Sequence, residues 1–118
     1  MVFVSGPYSH PDNSIKQTRV NLIANACLNF MEKGQVAISP LTFGLSLIEK
    51  TGKQLPDDYV FWGKFCEEFV RACHTIYILD IDGWQESSGV RGEIEEAKKS
   101  NIPVYLINPE TLDYIKQL

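Results

Sequence analysis

The stretch that decides the fold is Ile76-Tyr77-Ile78-Leu79-Asp80, followed by Ile81-Asp82-Gly83-Trp84-Gln85-Glu86 and then by Ser87-Ser88-Gly89-Val90-Arg91-Gly92-Glu93. Its first part has the apolar character of a buried strand, its middle is an acidic loop with a tryptophan, and two serines and a glycine lead into a helix. Open α/β sheets bind ligands at the carboxyl ends of their strands, and the free N–H groups of a helix N-terminus favour an anion. The stretch therefore predicts an α/β fold and the place of its ligand site.

Glu93 is the candidate catalytic carboxylate of that site. At about 100° per residue, Val90, Ile94 and Ala97 fall within about 60° of one another on the predicted helix. Glu93 lies about 40° from the edge of this apolar arc, whereas Glu95 falls on the opposite side. The pattern indicates a carboxylate at the rim of the buried face. A boundary residue of an ordinary amphipathic helix would give the same pattern, and that alternative stays open.

Strand-like and helix-like segments alternate along the chain. They predict one domain over residues 1–118, a small doubly wound, flavodoxin- or Rossmann-like three-layer fold with a four- to five-stranded parallel sheet. Strands are predicted at 2–4, 35–38, 76–80 and 102–107, and helices at about 13–33, 41–50, 58–73, 88–99 and 109–118. Asp57 or Asp58 is expected to cap the third of these helices, and Asn108 with Pro109 to start the last.

The first helix carries a candidate ligand-binding cation. Its predicted buried stripe consists of Val20, Ile23, Ala24, Cys27, Phe30 and Met31. Arg19 borders this stripe near the start of the helix, so its guanidinium group could reach the mouth of the first strand. A solvated helix arginine is the alternative.

Composition excludes several classes of function. The chain has 118 residues, a net charge of −4 and a pI near 5.1, which argues against a nucleic acid polymer as partner but permits one small anionic ligand. Its three cysteines lack metal-ligand spacing, which favours reduced thiols in a cytoplasmic protein. No apolar run approaches the roughly 18 residues of a membrane span, so a soluble protein without a membrane partner is expected.

Neither a Walker sequence nor a G-x-G-x-x-G motif follows the first strand, and no G-x-S-x-G motif occurs. ATP, dinucleotide and serine-nucleophile fingerprints are therefore absent, and no cofactor or metal is predicted. Asp80 and Asp82 could hold magnesium, but two loop carboxylates are a weak signal. Hydrogen bonding to sugar hydroxyls, or simple solvation of a loop, accounts for them better.

Several segments together resemble the nucleoside 2-deoxyribosyltransferase-like superfamily. They are Val4-Ser5-Gly6-Pro7-Tyr8-Ser9, Arg19, Gly34 to Pro40, Trp62, and Gly83-Trp84-x-x-Ser87-x-Gly89-Val90-x-x-Glu93-x-x-x-Ala97. The resemblance covers essentially the whole chain and is closest to small phage and bacterial proteins of unassigned function. The superfamily also contains deoxynucleoside 5′-monophosphate N-glycosidases and nucleoside deoxyribosyltransferases.

The resemblance implies cleavage of a base–sugar bond with retention of configuration. Glu93 would attack the anomeric carbon, and water or a second base would then release the sugar. Tyr8 would contact the sugar or orient the nucleophile, and Trp84 would wall the base pocket unless it simply packs on the fold. The residues that the resemblance assigns to substrate binding are Ser5, Gly6, Arg19, Asp82, Trp84, Ser87 and Gly89.

Ser87 bears on the substrate. In the nucleoside transferases an acidic residue six positions before the glutamate receives the sugar 5′-hydroxyl, whereas the monophosphate hydrolases have serine there. A hydroxyl beside helix N–H groups would bind a 5′-phosphate that a carboxylate would repel. Ser87 therefore favours a nucleoside 5′-monophosphate, and a purely capping role is compatible with this.

One departure from the family pattern concerns the leaving base. The family has an aspartate four residues after the tryptophan, and it helps protonate the base or position the nucleophile. Cys66 stands there, and Glu67 lies about 100° further round the helix. From the resemblance, the expected function is a hydrolase or deoxyribosyltransferase. Because Cys66 replaces the family aspartate, a catalytically impaired nucleotide-binding module for sensing or regulation is the alternative. A third hypothesis is a metal-dependent phosphatase that uses Asp80 and Asp82.

A shallow site in so small a domain would be closed by a neighbouring subunit, and a homodimer or higher homo-oligomer is expected. The identity of the base and the choice between ribose and deoxyribose stay open.

Overall fold

The computed structural model describes residues 1–56 and 58–118. The strands and helices, in chain order, are β1 (Val2–Ser5), α1 (Asn13–Glu32), β2 (Ala37–Ile38), α2 (Pro40–Thr51), α3 (Tyr59–Arg71), β3 (Thr75–Leu79), α4 (Ser88–Lys99), β4 (Val104–Ile107) and β5 (Tyr114–Gln117). A short 3₁₀ helix, Trp84–Glu86, precedes α4. The carboxylate of Asp58 caps α3 by accepting the N–H of Phe61 at 2.9 Å. Asp57, the other predicted cap, lies outside the described residues.

Within the described residues the strands form a five-stranded sheet in the order β2-β1-β3-β4-β5. β1 pairs in parallel with β2 and β3, and β3 pairs in parallel with β4. The register sets Ser5, the last residue of β1, beside Ile78 of β3. The carboxyl ends of these two central strands therefore meet at one edge of the sheet. The predicted α/β class is confirmed, and the sheet is mostly parallel where a wholly parallel one was predicted.

The predicted C-terminal helix is wrong, because the chain ends in an antiparallel strand, β5, paired with β4. Asn108 does cap a turn by accepting the N–H groups of Glu110 and Thr111 at 2.8 and 2.9 Å. The turn ends at Leu112, whose φ is +65°. A helix of under about ten residues is marginal without a buried face, whereas β5 satisfies the backbone groups along the edge of β4.

The predicted buried stripe of α1 is rotated in the structure. Arg19, Ile23, Ala26 and Phe30 are buried, whereas Met31 is 55% exposed and Ala24 is also exposed. The residues that face the sheet are at positions 19, 23, 26 and 30, a spacing of three or four residues that places them on one face of an α-helix. The helix is therefore turned so that a charged residue, Arg19, lies on its inner face.

Apolar clusters cover both faces of the sheet, since alternate strand residues point to opposite sides. On one face, α3 and α4 pack on a cluster made of Phe3, Val70, Cys73, Ile76, Ile78, Val90, Ala97, Val104 and Leu106. On the other, α1 packs on Val2, Val4, Ile23, Ala26, Phe30, Leu79, Ile81 and Ile107. Glu93 and Arg19 come from helices on opposite faces and reach the same edge of the sheet. No helix in the described part of the chain is long and apolar enough to cross a membrane.

Candidate active site

A cavity of about 550 Å³ opens at the carboxyl ends of β1 and β3. Its wall is formed by the loop after β1, by Arg19, by the segment that leads into α4, and by residues of α2 and α3. Glu93 lies among the lining residues. The volume is in the range of small-molecule sites, which are commonly about 300–1,000 Å³.

Glu93 points into this cavity from the second turn of α4 and is only 8% exposed. Its Oε1 atom accepts a hydrogen bond of 2.7 Å from the hydroxyl of Ser5. Burial raises the pKa of Glu93 to about 7, and the hydrogen bond from Ser5 partly opposes that rise. Near neutral pH the side chain therefore exists both as a carboxylate, which can act as a nucleophile, and as a neutral acid.

Ser5 is held in place by the sheet. It is buried at the end of β1, where its backbone pairs with β3, and the turn through Gly6 and Pro7 starts directly after it. Its hydroxyl is therefore directed at Glu93 by the strand and not by a flexible loop. Gly6 and Tyr8, two other predicted site residues, line the cavity, and the Lys16 ammonium lies 5.0 Å from the centre of the Tyr8 ring.

Arg19 joins the two loops that border the cavity. Its Nη1 donates to the carbonyl of Ser9 at 2.8 Å, and its Nη2 donates to the carbonyl of Asp82 at 2.9 Å. Of the two alternatives that the sequence left open for Arg19, the solvated helix arginine is not the one observed, since Arg19 is buried and lines the cavity. Gly83, with φ of +93°, lies over it, and a Cβ there would be 2.7 Å from Nη2. The glycine therefore makes room for the buried guanidinium.

The N-terminus of α4 forms the neighbouring part of the wall. The hydroxyl of Ser87 caps the helix by accepting the N–H of Val90 at 3.2 Å. Ser87, Ser88 and Gly89 all line the cavity, so the amide groups of the first helical turn border it. The exposed side chain of Glu86 lines this end as well. Arg19 and the N-terminus of α4 are the groups of the lining that would favour an anion, whereas the Glu86 carboxylate would oppose one.

Asp82 and Trp84 do not lie where the sequence places them, since neither is a cavity-lining residue. The side chain of Asp82 is exposed, and its contribution is the carbonyl that binds Arg19. The indole of Trp84 packs against the apolar cluster beneath α4. The chain turns at Gly83, whose left-handed φ directs the next residue toward the core. The packing alternative for Trp84 is thus the one observed. Asp80 is also exposed and outside the cavity lining.

Tyr59 is a cavity residue that the sequence did not suggest. Its ring packs against α4 at Gly92, where a Cβ would lie 2.5 Å from the Tyr59 hydroxyl. The hydroxyl is buried and has no hydrogen-bond partner among the described residues. Burial, and then the nearby charge of Glu93, raise the pKa of Tyr59, so the phenol stays neutral. Gly63, four positions later on the same helix, also contacts the ring. A glycine inside a predicted helix was the feature of the sequence that could have indicated this close packing.

Cys66, at the place of the family aspartate, lines the cavity. Burial, together with the negative charges of Glu93 and Glu67, raises the pKa of the Cys66 thiol to about 12. The thiol is therefore neutral and a poor proton donor at neutral pH. Glu67 is half-buried and does not line the cavity, so its side chain does not take over that position.

Within residues 1–56 and 58–118, no group of three or more His, Cys, Asp and Glu side chains is arranged to hold a metal ion. Cys27, Cys66 and Cys73 are free thiols.

Comparison with known proteins gives one family. The model of a family described as "Domain of unknown function (DUF1937)" matches residues 1–109. The match includes every residue of the cavity and ends before β5. No curated protein matches the chain.

Proposed function

The chain belongs to the DUF1937 family, and from the geometry of its cavity we propose that it cleaves the N-glycosidic bond of a (deoxy)nucleoside 5′-monophosphate or nucleoside. The observation that carries this proposal is the buried carboxyl of Glu93, which faces a cavity of about 550 Å³ and is oriented by Ser5. The resemblance of the Gly83-to-Ala97 motif to nucleoside 2-deoxyribosyltransferase-like proteins supports the same chemistry.

The order of chemical groups along the cavity fits a nucleotide. The lining combines Arg19 and the start of α4, the carboxyl group of Glu93 further along α4, and apolar residues of α2 and α3. A nucleotide has a phosphate at one end, a sugar in the middle and a base at the other end. If its phosphate is bound beside Ser87, its sugar lies next to Glu93.

In the proposed first step, the Glu93 carboxylate attacks the anomeric carbon. A carbon–oxygen bond forms while the carbon–nitrogen bond to the base breaks, and the bonding electron pair leaves with the base, which takes a proton from water. In the second step, water adds to the anomeric carbon, releases the sugar and loses a proton to solvent, and Glu93 is regenerated. A second base in place of that water would make the protein a transferase.

The electrostatics favour a phosphate-bearing substrate. A helix N-terminus and a buried guanidinium both stabilise an anion, and the neutral hydroxyl of Ser87 does not repel it. The carboxylate of Glu86 opposes them, but it is exposed to solvent and salt, which screen its charge. Gly6, Gly89 and Tyr8 line the same cavity and are proposed to contact the sugar or phosphate. No cofactor or metal takes part in the proposed steps.

The activity can be tested with a panel of nucleosides and nucleoside 5′-monophosphates, with free base measured by chromatography. The wild-type protein is expected to release base from at least one of them. Glu93→Gln should lower the rate at least about 100-fold because the nucleophile is lost. Glu95→Gln is the matched control, since Glu95 is an exposed carboxylate on the same helix. Equal rates in wild type and Glu93→Gln would contradict the proposal.

A second candidate is a nucleotide-binding module without turnover. The observation that favours it is the neutral thiol of Cys66. No acidic side chain stands at position 66 to protonate the departing base. Binding of a monophosphate by the wild-type protein with no release of base in the same panel would support this candidate. Release of inorganic phosphate that a chelator abolishes would instead indicate the phosphatase that uses Asp80 and Asp82.

Further proposals concern the whole protein. The sheet order and the superfamily resemblance support a single doubly wound, Rossmann-like domain, and the free cysteines suit a reducing, cytoplasmic environment. We also propose a homodimer or higher homo-oligomer, because Phe43 and Val60, on the two helices that border the cavity, are 52% and 92% exposed. Sedimentation velocity tests this, and a monomeric mass would contradict it.

A further inference from the structure

We propose that the part of the cavity between α2 and α3 selects a heteroaromatic base that carries an apolar substituent on its outer edge. This inference rests on the proposed function, because it assumes that the base of a nucleotide occupies this part. We call it the apolar lobe and define it by its lining residues Pro40, Leu41, Gly44, Leu45, Ile48 and Trp62.

The apolar lobe is built by one face of α2 and one aromatic residue of α3. Positions 41, 44, 45 and 48 follow the spacing by which residues share a helix face. Gly44 is buried, and Leu41, Leu45, Ile48 and Trp62 are half-buried, so apolar side-chain surface faces the cavity. Ligand atoms bound there would be removed from water and would contact the carbon atoms of these side chains.

Most polar groups near the apolar lobe already have partners within the protein. The indole N–H of Trp62 donates to the carbonyl of Pro56 at 2.6 Å. At the start of α2, Ser39 accepts the N–H groups of Thr42 and Phe43 through its hydroxyl and its carbonyl. The hydroxyl of Tyr59 is buried against Gly92. Asp58, at the start of α3, also lines the cavity, and its carboxylate accepts the N–H of Phe61 at 2.9 Å. The lining residues of the lobe itself therefore offer a ligand apolar contact and few hydrogen bonds.

This arrangement discriminates between bases. Amino and keto groups on an unmodified base are hydrated in water, and burying them without new hydrogen bonds is unfavourable. An alkyl or aryl group on the exocyclic nitrogen replaces part of that polar edge with carbon. Its burial against Leu45 and Ile48 is favourable.

The lobe adjoins the reacting group. Cys66 and Glu93 line the same cavity as Trp62, and Cys66 lies four positions after Trp62 on α3. A base bonded to a sugar beside Glu93 would therefore extend toward α2. The substituent that we infer lies on the side of the base away from the sugar.

Isothermal titration calorimetry with paired probes tests the inference. The pairs are adenine and N6-benzyladenine, cytosine and N4-benzylcytosine, and the corresponding nucleoside 5′-monophosphates. In at least one series, the benzyl compound is expected to bind at least about tenfold more tightly to the wild-type protein. Benzyl compounds that bind no more tightly than their parents in both series would overturn the inference, and so would an absence of binding by all probes.

A matched pair of variants locates the effect. Leu45→Asn should reduce the preference for the benzyl compound to below about threefold. Leu47→Asn should leave it unchanged, because Leu47 lies on the same helix but is 48% exposed and does not line the cavity. An equal loss in both variants, or in neither, would overturn the assignment to the lobe. If Leu45→Asn does not fold, Leu41→Asn takes its place.

The free bases separate this inference from the proposed function. They contain no glycosidic bond and no phosphate, so their binding does not depend on Glu93 as a nucleophile. A benzyl preference without release of base from any nucleotide would uphold the lobe and reject the glycosidase. Release of base without a benzyl preference would do the reverse.

Discussion

The hydroxyl of Ser5 lies 2.7 Å from Oε1 of Glu93, although the two residues are 88 positions apart in the chain. The superfamily resemblance assigns Ser5 to substrate binding, but in the structure its hydroxyl donates to the carboxyl group. Ser5 is therefore better described as a residue that orients Glu93 through Oε1. The same hydrogen bond also favours the charged form of the carboxyl.

Ser5→Ala should shift the pH dependence of the proposed reaction. The hydrogen bond from Ser5 lowers the pKa of Glu93, which burial raises to about 7. Its removal should move the acidic limb of kcat/KM to higher pH by about one pH unit, the effect of losing a hydrogen bond to a charged group. The pH–rate profile, or a ¹³C NMR titration of the Glu93 carboxyl, measures this shift.

Ser46→Ala is the control for that experiment, since Ser46 is exposed on α2 and does not line the cavity. An acidic limb in the same position in Ser5→Ala and wild type would show that Ser5 does not set the ionisation of Glu93.

At the scale of single elements, the start of α4 combines two functions. Ser87 caps the helix, and Ser87, Ser88 and Gly89 line the cavity where we propose that the phosphate binds. Capping and phosphate binding both need a polar side chain at position 87. Only phosphate binding requires that this side chain carry no negative charge. The two can therefore be separated by substitutions that keep the cap.

Ser87→Asp and Ser87→Asn separate them. Asp and Asn are N-caps about as good as Ser, so the free energy of unfolding should change by less than about 0.5 kcal/mol in either variant. The added negative charge of Ser87→Asp should weaken binding of a nucleoside 5′-monophosphate at least about tenfold without weakening binding of the nucleoside, whose 5′-hydroxyl can donate to the new carboxylate. Calorimetric titration of both ligands measures this. Equal losses of monophosphate affinity in the two variants would contradict an electrostatic role of position 87.

Two elements show why sequence patterns were insufficient. The cap at Asn108 predicted a helix, and the local hydrogen bonds of a cap do form, yet the chain turns back as β5 because β4 offers an edge to pair with. In α1 the helix was predicted correctly, but its inner face was not. Arg19 is buried there because carbonyl groups of two distant loops bind its guanidinium.

For the molecule as a whole, the buried carboxyl of Glu93 is a source of instability at alkaline pH. Its pKa is about 7 in the folded protein, above the ordinary value of 4.5. The folded state therefore binds more protons than the unfolded state between these values. The contribution of Glu93 to stability is fully present below pH 4.5 and is lost as pH rises through about 7.

Glu93→Gln should remove this dependence. At pH 8 the variant is expected to be more stable than wild type by up to about 3 kcal/mol, and the difference should shrink toward pH 5. Urea unfolding at both pH values measures it, with Glu95→Gln as the exposed control. A Glu93→Gln variant with no gain in stability from pH 5 to pH 8 relative to wild type would contradict the burial of a charged carboxyl.

By itself, the sequence determined the alternation of strands and helices as far as β4, the position of Glu93 at the rim of the buried face of α4, and a serine cap at 87 or 88, because each follows from spacing over one or two helical turns or from alternation along a strand. Only the tertiary structure decided the Ser5–Glu93 hydrogen bond, the burial of Tyr59 against Gly92, the packing of Trp84 into the core and the apolar lobe. These contacts join residues far apart in the chain, and they depend on the register of β1 with β3 and on the rotation of each helix over the sheet. Local periodicity contains no information about either quantity, since both are set by how whole elements pack.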